Sequence, residues 1–173
     1  MAISFYEASV ANYLQTLGAM TGVLAKGAAH CQEKGIDPQK VVDTRLAPDM
    51  LPFSFQIFSV VHHSQGALEG IKSGTFRPPG ARDPHSYAQL QALVAETLAA
   101  LKDKTPADVN ALEGKDLVFE IGKMQMPFTA TGFLFSFSLP NFYFHATTAY
   151  DILRSNGVPL GKRDFMGAMR MKT

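Results

Sequence analysis

Three histidines of this chain, His62, His63 and His145, stand where helical spacing could bring their side chains to one interior site. His145 lies in an apolar stretch, and a turn of 100° per residue places it on the same third of a helix as Phe142 and Ala149. A polar ring that faces a core must have a partner. That partner is either a group of the core itself or a metal ion or small ligand held between helices.

His62 and His63 are neighbours on another predicted helix, so their side chains diverge by about 100°. At most one of them can face the same cavity squarely, and the spacing does not choose between them. Asn141 precedes His145 by one turn and shares its flank. It is a candidate to hydrogen-bond a substrate or a water molecule, although asparagines near helix starts are commonly local caps.

Other sequence motifs name no reaction. A catalytic zinc site typically has three protein ligands and an open position, which two histidines and an unassigned third do not supply. The sequence contains no HExxH helix, CxxC pair, GxSxG elbow or phosphate-binding glycine loop, so hydrolase, zinc-ribbon and nucleotide-binding functions lack support. Cys31 lies on an apolar stripe, which favours a buried structural thiol over a nucleophile.

Four long amphipathic helices are predicted to position these residues, because apolar side chains recur at alternating steps of three and four. The helices run from Ser4 to Gly35, from Pro52 to about Ile71, from Ser86 to about Leu101 and from Pro140 to Asn156. Alternating apolar residues before Gly122-Lys123 predict a small β-hairpin ahead of the last helix. Since each apolar stripe must be buried against others, the pattern predicts an all-α helical bundle.

Two local signals accompany the helices. Ser4 with Glu7, and Ser86 with Gln89, have the spacing of capping boxes at the starts of the first and third helices. Three glycines, Gly18, Gly22 and Gly27, weaken the first helix relative to alanine. The simplest explanation for such glycines is the close approach of a neighbouring helix.

Composition indicates one globular domain over residues 1–173. Hydrophobic residues make up 46% of the chain, charged residues 18%, and the net charge is +1, so no nucleic-acid-binding arm is expected. The most apolar windows, 51–61 and 132–144, fall short of the roughly 20 residues that a membrane span needs. With a single cysteine and no secretion signal, we expect a soluble, cytoplasmic protein without a membrane partner.

Two segments carry a resemblance to a known family. The first is Arg45-Leu46-Ala47-Pro48-Asp49-Met50, and the second runs from Pro140-Asn141-Phe142-Tyr143-Phe144-His145 through Leu153-Arg154 and Gly157-Val158 to Gly161-Lys162. Together they resemble an uncharacterised bacterial and fungal family of the DinB-like superfamily. The resemblance implies an antiparallel four-helix bundle, described as a metalloenzyme, with one histidine of the second helix and an HxxxH pair of the fourth on a divalent metal.

Carried over residue by residue, the resemblance makes His145 the second histidine of the pair and places Asn141 where the first would stand. His62 would be the ligand of the second helix, with His63 as a one-residue alternative. The implied cofactor is a divalent metal ion, zinc or nickel. Relatives in the superfamily include thiol-dependent transferases and isomerases.

Three functional hypotheses follow from these expectations. In the first, the histidines hold a divalent ion that acts on a small substrate. In the second, the same cavity, lined by aromatic residues such as Phe58 and Phe142, binds a small apolar or aromatic ligand without metal. In the third, the protein is a structural bundle that forms a homodimer through an apolar helix face and keeps a vestigial site.

Overall fold

The computed structural model describes residues 3–80 and 83–172, and it is mostly helical with a small three-stranded sheet. Met1, Ala2, Ala81, Arg82 and Thr173 of the expected domain lie outside the described residues. Among the described residues no helix is both long and apolar enough to cross a membrane.

The first long segment consists of α1 (Phe5–Ala8) and α2 (Val10–Lys34), which are separated at Ser9. The single helix expected from Ser4 to Gly35 is therefore interrupted, because the Ser9 backbone leaves helical geometry while its hydroxyl donates to the Phe5 carbonyl at 2.6 Å. Gly35, in the left-handed conformation at φ 63°, ends α2.

Only half of the first expected capping box is present. The Ser4 hydroxyl accepts from the Glu7 amide at 3.1 Å, as a cap should. The Glu7 carboxylate does not reach back to Ser4, and instead it pairs with the Arg170 guanidinium at 3.2 Å. Arg170, near the C-terminus, thus pairs with the Glu7 carboxylate that would otherwise complete the capping box.

A short helix, α3 (Pro38–Asp43), leads into the second long segment, which is α4 (Phe53–Val61), a π-helical turn (His62–Gly66, here π1) and α5 (Ala67–Ser73). A π turn places one extra residue in a helix without breaking it. Residues that follow π1 are therefore rotated relative to the phase of α4. Gly74, at φ 81°, ends the segment.

The third long helix is α6 (Tyr87–Lys102), followed by α7 (Pro106–Asn110). Its capping box is confirmed in both directions, since Ser86 accepts from the Gln89 amide and Gln89 accepts from the Ser86 amide. α6 packs mainly on α2.

The sheet has the order β1 (Thr75–Phe76), β2 (Asp116–Ile121) and β3 (Met124–Thr129). β2 and β3 pair antiparallel and are joined by Gly122 and Lys123. β1 pairs parallel with β2 through Thr75 and Val118, and it was not expected, because two residues are too few to show an alternation. β1 ties the end of α5 to the sheet.

The last long segment is α8 (Ala130–Phe133), a second π turn (Leu134–Ser138, here π2) and α9 (Leu139–Ser155), followed by the short α10 (Lys162–Met166). Pro140 stands in the first turn of α9, where its missing amide hydrogen costs least. α9 packs mainly on α4, and Phe53 of α4 and Phe142 of α9 are both fully buried.

Cys31 belongs to that core. Its side chain is buried, and burial together with the neighbouring Asp37 raises the pKa of its thiol. A buried thiol with a raised pKa is a poor nucleophile, which agrees with the structural role expected from the sequence.

Candidate functional site

The contact between α4 and α9 brings two histidines together. The ring centroids of His63 and His145 lie 5.9 Å apart, with the ring planes 13° from parallel. His63 is 8% exposed, and His145 is half-buried. Of the two neighbouring histidines that the sequence could not separate, the structure places His63 beside His145.

His62 is directed elsewhere, because the side chains of neighbouring residues in a helix diverge by about 100°. Its Nε2 atom lies 2.8 Å from the Arg77 carbonyl oxygen, on the chain that leaves β1. Its ring packs on Phe76 at a centroid distance of 4.4 Å. The imidazole of His62 is thus held by the loop after β1, although its ring remains 5.5 Å from that of His63.

Gln56 fixes the tautomer of His145. The Gln56 Nε2 atom donates to the Leu51 carbonyl at 2.8 Å, which identifies Oε1 as the atom that faces His145. Oε1 can only accept, and it lies 2.7 Å from His145 Nδ1, so Nδ1 carries the hydrogen. In neutral imidazole the Nε2 atom of His145 then presents a bare lone pair.

Both imidazoles are neutral at pH 7. Burial lowers the pKa of His145 from 6.5 to about 4. Burial, with smaller effects of His62 and His145, lowers the pKa of His63 from 6.5 to about 3. The cause is the loss of water around a ring that would otherwise be charged.

His63 carries an orphaned polar atom. Within the described ranges 3–80 and 83–172, His63 Nδ1 is the one buried side-chain nitrogen or oxygen without a hydrogen-bond partner. Leaving such an atom unpaired costs about 1–3 kcal/mol. Buried polar atoms are nearly always paired, so an orphan of this kind marks a place where a bound group could supply the missing partner.

Aromatic rings surround the pair. Phe55 and Phe144 contact the His145 ring at centroid distances of 5.8 and 5.2 Å. Phe76 and Phe137 contact the His63 ring at 5.6 and 5.5 Å. The two imidazoles therefore stand in an apolar wall, which explains their lowered pKa values.

The backbone of π1 is anchored by side chains of α2 and π2. Ser138, the last residue of π2, donates its hydroxyl hydrogen to the His63 carbonyl at 2.7 Å. Since that hydrogen is used, the Tyr13 hydroxyl donates to Ser138 Oγ at 3.0 Å. This buried chain joins α2, π2 and π1, and it fixes the backbone from which the His63 ring projects.

Asn141 is engaged in its own helix. Its Nδ2 atom donates to the Phe137 carbonyl, four residues earlier, at 2.7 Å. This is the local bond typical of an asparagine near a helix start. A role for Asn141 in binding a cofactor stays a prediction.

The residues present do not fit a zinc or nickel centre. A catalytic site of this kind needs three protein ligands, and across the described residues no group of three or more histidine, cysteine, aspartate or glutamate side chains is placed to hold a metal ion. His63 and His145 offer two imidazole donors. The geometry therefore supports a site of two neutral hydrogen-bonding rings.

Replacing Gln56 tests the assignment of the tautomer. In Gln56→Leu, His145 Nδ1 loses its acceptor, so we expect a mixture of tautomers and a loss of about 1–3 kcal/mol in the free energy of unfolding. Long-range ¹H–¹⁵N NMR of the imidazoles reports which nitrogen carries hydrogen. Wild-type spectra with hydrogen on His145 Nε2 would contradict the assignment, and Gln125→Leu on the exposed β3 is the control.

Comparisons with known proteins agree with this architecture. A crystal structure of a DinB family member from Shewanella denitrificans, at 1.83 Å resolution, aligns with a TM-score of 0.80 and 26% sequence identity, covering 97% of this chain and 94% of the other. No curated protein matches the chain significantly. The sequence pattern of the family described as domain of unknown function DUF1993 matches residues 5–166, which is nearly the whole chain. The chain therefore belongs to the DUF1993 family.

Proposed function

We propose that this protein is a DinB-like antiparallel four-helix bundle that binds a small, neutral ligand at His63 and His145 without a metal ion. Similarity to the DinB family member supports the fold. The packing of α4 on α9 and of α2 on α6 supports the bundle. A cytoplasmic location remains a prediction from the sequence.

The orphaned Nδ1 atom of His63 is the observation that carries this proposal. In the His63 tautomer with hydrogen on Nε2 this atom is an acceptor, and a ligand that donates a hydrogen bond to it would recover the cost of the unpaired atom. The lone pair on His145 Nε2 offers a second acceptor on the neighbouring ring. The aromatic side chains around both rings favour a flat, apolar body in the ligand.

The low basicity of the site favours binding over proton transfer. With a pKa of about 4, His145 holds a proton at pH 7 only at a cost of about 4 kcal/mol. A general base is most effective when its pKa lies near the working pH. The rings therefore act as hydrogen-bond acceptors, and they select against anions because neither ring is positively charged.

Phenol and anisole are the matched probes for this site, because they differ in the hydroxyl hydrogen. We expect phenol at millimolar concentration to raise the melting temperature and to shift the imidazole ¹⁵N resonances of His63 or His145, while anisole does neither. His63→Phe should abolish the response. Equal responses to phenol and anisole, or none to either, would contradict the proposal.

A control variant separates the site from general surface binding. His30→Phe changes a histidine on α2, and it should keep the phenol response. A response that is lost equally in His30→Phe and His63→Phe would place the binding elsewhere.

A divalent metal centre is the competing hypothesis, and it predicts a different result. Protein purified without an affinity tag should contain far less than one zinc or nickel ion per chain, and a chelator should leave its melting temperature unchanged. One tightly held ion per chain, lost in both His63→Phe and His145→Phe, would overturn the metal-free proposal. Elemental analysis makes this measurement.

A further inference from the structure

One face of the molecule carries exposed aromatic residues and no charge. From Met124 to Tyr150 the sequence contains no aspartate, glutamate, lysine or arginine. Phe135, Tyr143 and Phe144 lie on this stretch and are 51%, 38% and 56% exposed. An exposed helical face that is free of charge and rich in aromatic residues has the composition of an interface core.

The same face has a ridge between two grooves. Tyr143 lines a groove of about 910 Å³, together with Phe135 and Leu139. Tyr143 also lines a second groove of about 610 Å³, together with Leu46 and Phe144. The exposed edge of α9 at Tyr143 therefore separates two depressions whose walls are apolar beside the ridge and include charged side chains such as Glu113 and Asp151.

We propose that this face, named here the Tyr143 ridge and defined by Phe135, Tyr143 and Phe144, binds a second copy of the chain in a two-fold symmetric dimer. A two-fold interface brings the same surface against itself, so a charge near the axis would meet its own copy. The three side chains of the Tyr143 ridge are uncharged, and the nearby Arg170 is paired with Glu7. In such a dimer the ridge of one copy would enter a groove of the other.

The available area suits a dimer. The three aromatic side chains expose on the order of 300 Å² per chain, and therefore about 600 Å² in a pair. A stable interface of standard size buries about 1,200–2,000 Å² in total. Leu46, Pro140 and the walls of the two grooves lie around the ridge and can supply the remainder.

Charged groups stand at the border of this face. Arg170 pairs with Glu7 at 3.2 Å and donates to Asn12 Oδ1 at 2.8 Å, all on the wall of the larger groove. Asp151 lies on the wall of the smaller groove. An apolar centre with a polar border is the usual organisation of a protein–protein interface.

Sedimentation equilibrium over about 1–200 µM tests the dimer. We expect wild-type protein to be dimeric. Phe135→Glu/Phe144→Glu should raise the dissociation constant of the dimer at least a hundredfold, because four carboxylates would meet at the interface. Ile121→Glu/Met124→Glu is the matched control, since these apolar residues of the β2–β3 end are 44% and 56% exposed. The control should remain dimeric.

A fluorescent reporter provides an independent measurement, because the chain contains no tryptophan. In Phe144→Trp the emission should shift to shorter wavelength as protein concentration rises and the indole leaves water. Circular dichroism checks that each variant is folded. A monomeric wild type at all these concentrations, or a dimer that survives Phe135→Glu/Phe144→Glu, would overturn the proposal.

Discussion

Lowering the pH from 7 to 4 is expected to remove much of the folding free energy of this protein, with the loss beginning near pH 6.5. The folded pKa values of His63 and His145 are lowered to about 3 and about 4, from the ordinary value of 6.5. Between pH 6.5 and the folded pKa values, the two histidines are protonated in the unfolded chain and neutral in the folded chain. Stability from the neutral rings is therefore complete above pH 6.5 and is lost as the pH falls toward the folded pKa values.

The effect is large because two groups contribute together. Two protons bound only by the unfolded chain give a slope of up to about 2.7 kcal/mol per pH unit. His145 is only half-buried, so solvent screens part of its contribution and it adds less than its lowered pKa alone implies. The loss by pH 4 is therefore expected to be several kcal/mol, a large share of the roughly 5–15 kcal/mol that stabilises a typical domain.

Urea unfolding at a series of pH values measures this slope. His63→Phe should reduce the slope by about half, since one of the two groups is gone. Glu33→Gln is the control, because its carboxylate is fully exposed and its removal should change the profile little. A free energy of unfolding that stays constant between pH 6.5 and 4.5 would show that the two rings are not neutralised by burial.

Gly27→Ala is expected to destabilise the fold by about 2–4 kcal/mol, although alanine is the better helix former. A Cβ atom at Gly27 would lie 2.2 Å from the Tyr87 hydroxyl oxygen and 3.0 Å from a methyl group of Leu153. The Tyr87 hydroxyl donates to the Leu24 carbonyl at 2.9 Å and is buried. Moving Tyr87 away would break this bond and strain the packing of α6 on α2.

The other two glycines of α2 provide controls of opposite sign. Nothing lies within 4 Å of a Cβ atom at Gly18 or Gly22, so alanine there should stabilise the protein by about 0.5–1 kcal/mol each. Tyr87→Phe removes the clashing oxygen, so the double variant Gly27→Ala/Tyr87→Phe should lose less than the sum of the single changes. Chemical denaturation measures all five variants. Losses in the double variant that equal the sum of the two single losses would contradict the clash between a methyl group added at Gly27 and the Tyr87 hydroxyl.

The sequence predicted much of the helical framework because its signals are local. Ser86 and Gln89 form the expected capping box, and Gly35 ends α2 as expected. Gly27 is explained by the predicted close approach of another helix, whereas Gly18 and Gly22 have open space around them. The break at Ser9 was missed because the apolar spacing continues through it, while a single hydroxyl contact changes the backbone.

The site was harder to predict, because its geometry depends on a helix that is not uniformly α. A constant 100° step could not decide between His62 and His63, and it takes no account of π1, which begins at His62 and shifts the phase of the residues that follow it. Gln56 was missed as a site residue. Its signal was present, since a glutamine inside an apolar run on a core-facing helix needs buried partners, but the sequence does not show that they are His145 and Leu51.

A π turn accommodates one extra residue while the helices before and after it keep their places in the fold. Residues on the two sides of π1 can therefore be equivalent in space to residues of a regular helix that have different sequence spacing. A DUF1993 relative with a regular α-helix here would carry one residue fewer between α4 and α5. In that relative, a side chain that lies beyond this turn in the same spatial position would be one residue closer in sequence to the start of the helix. Alignments of the family should therefore permit a one-residue gap at His62–Gly66, and equivalent side chains should be matched by their neighbours across α9.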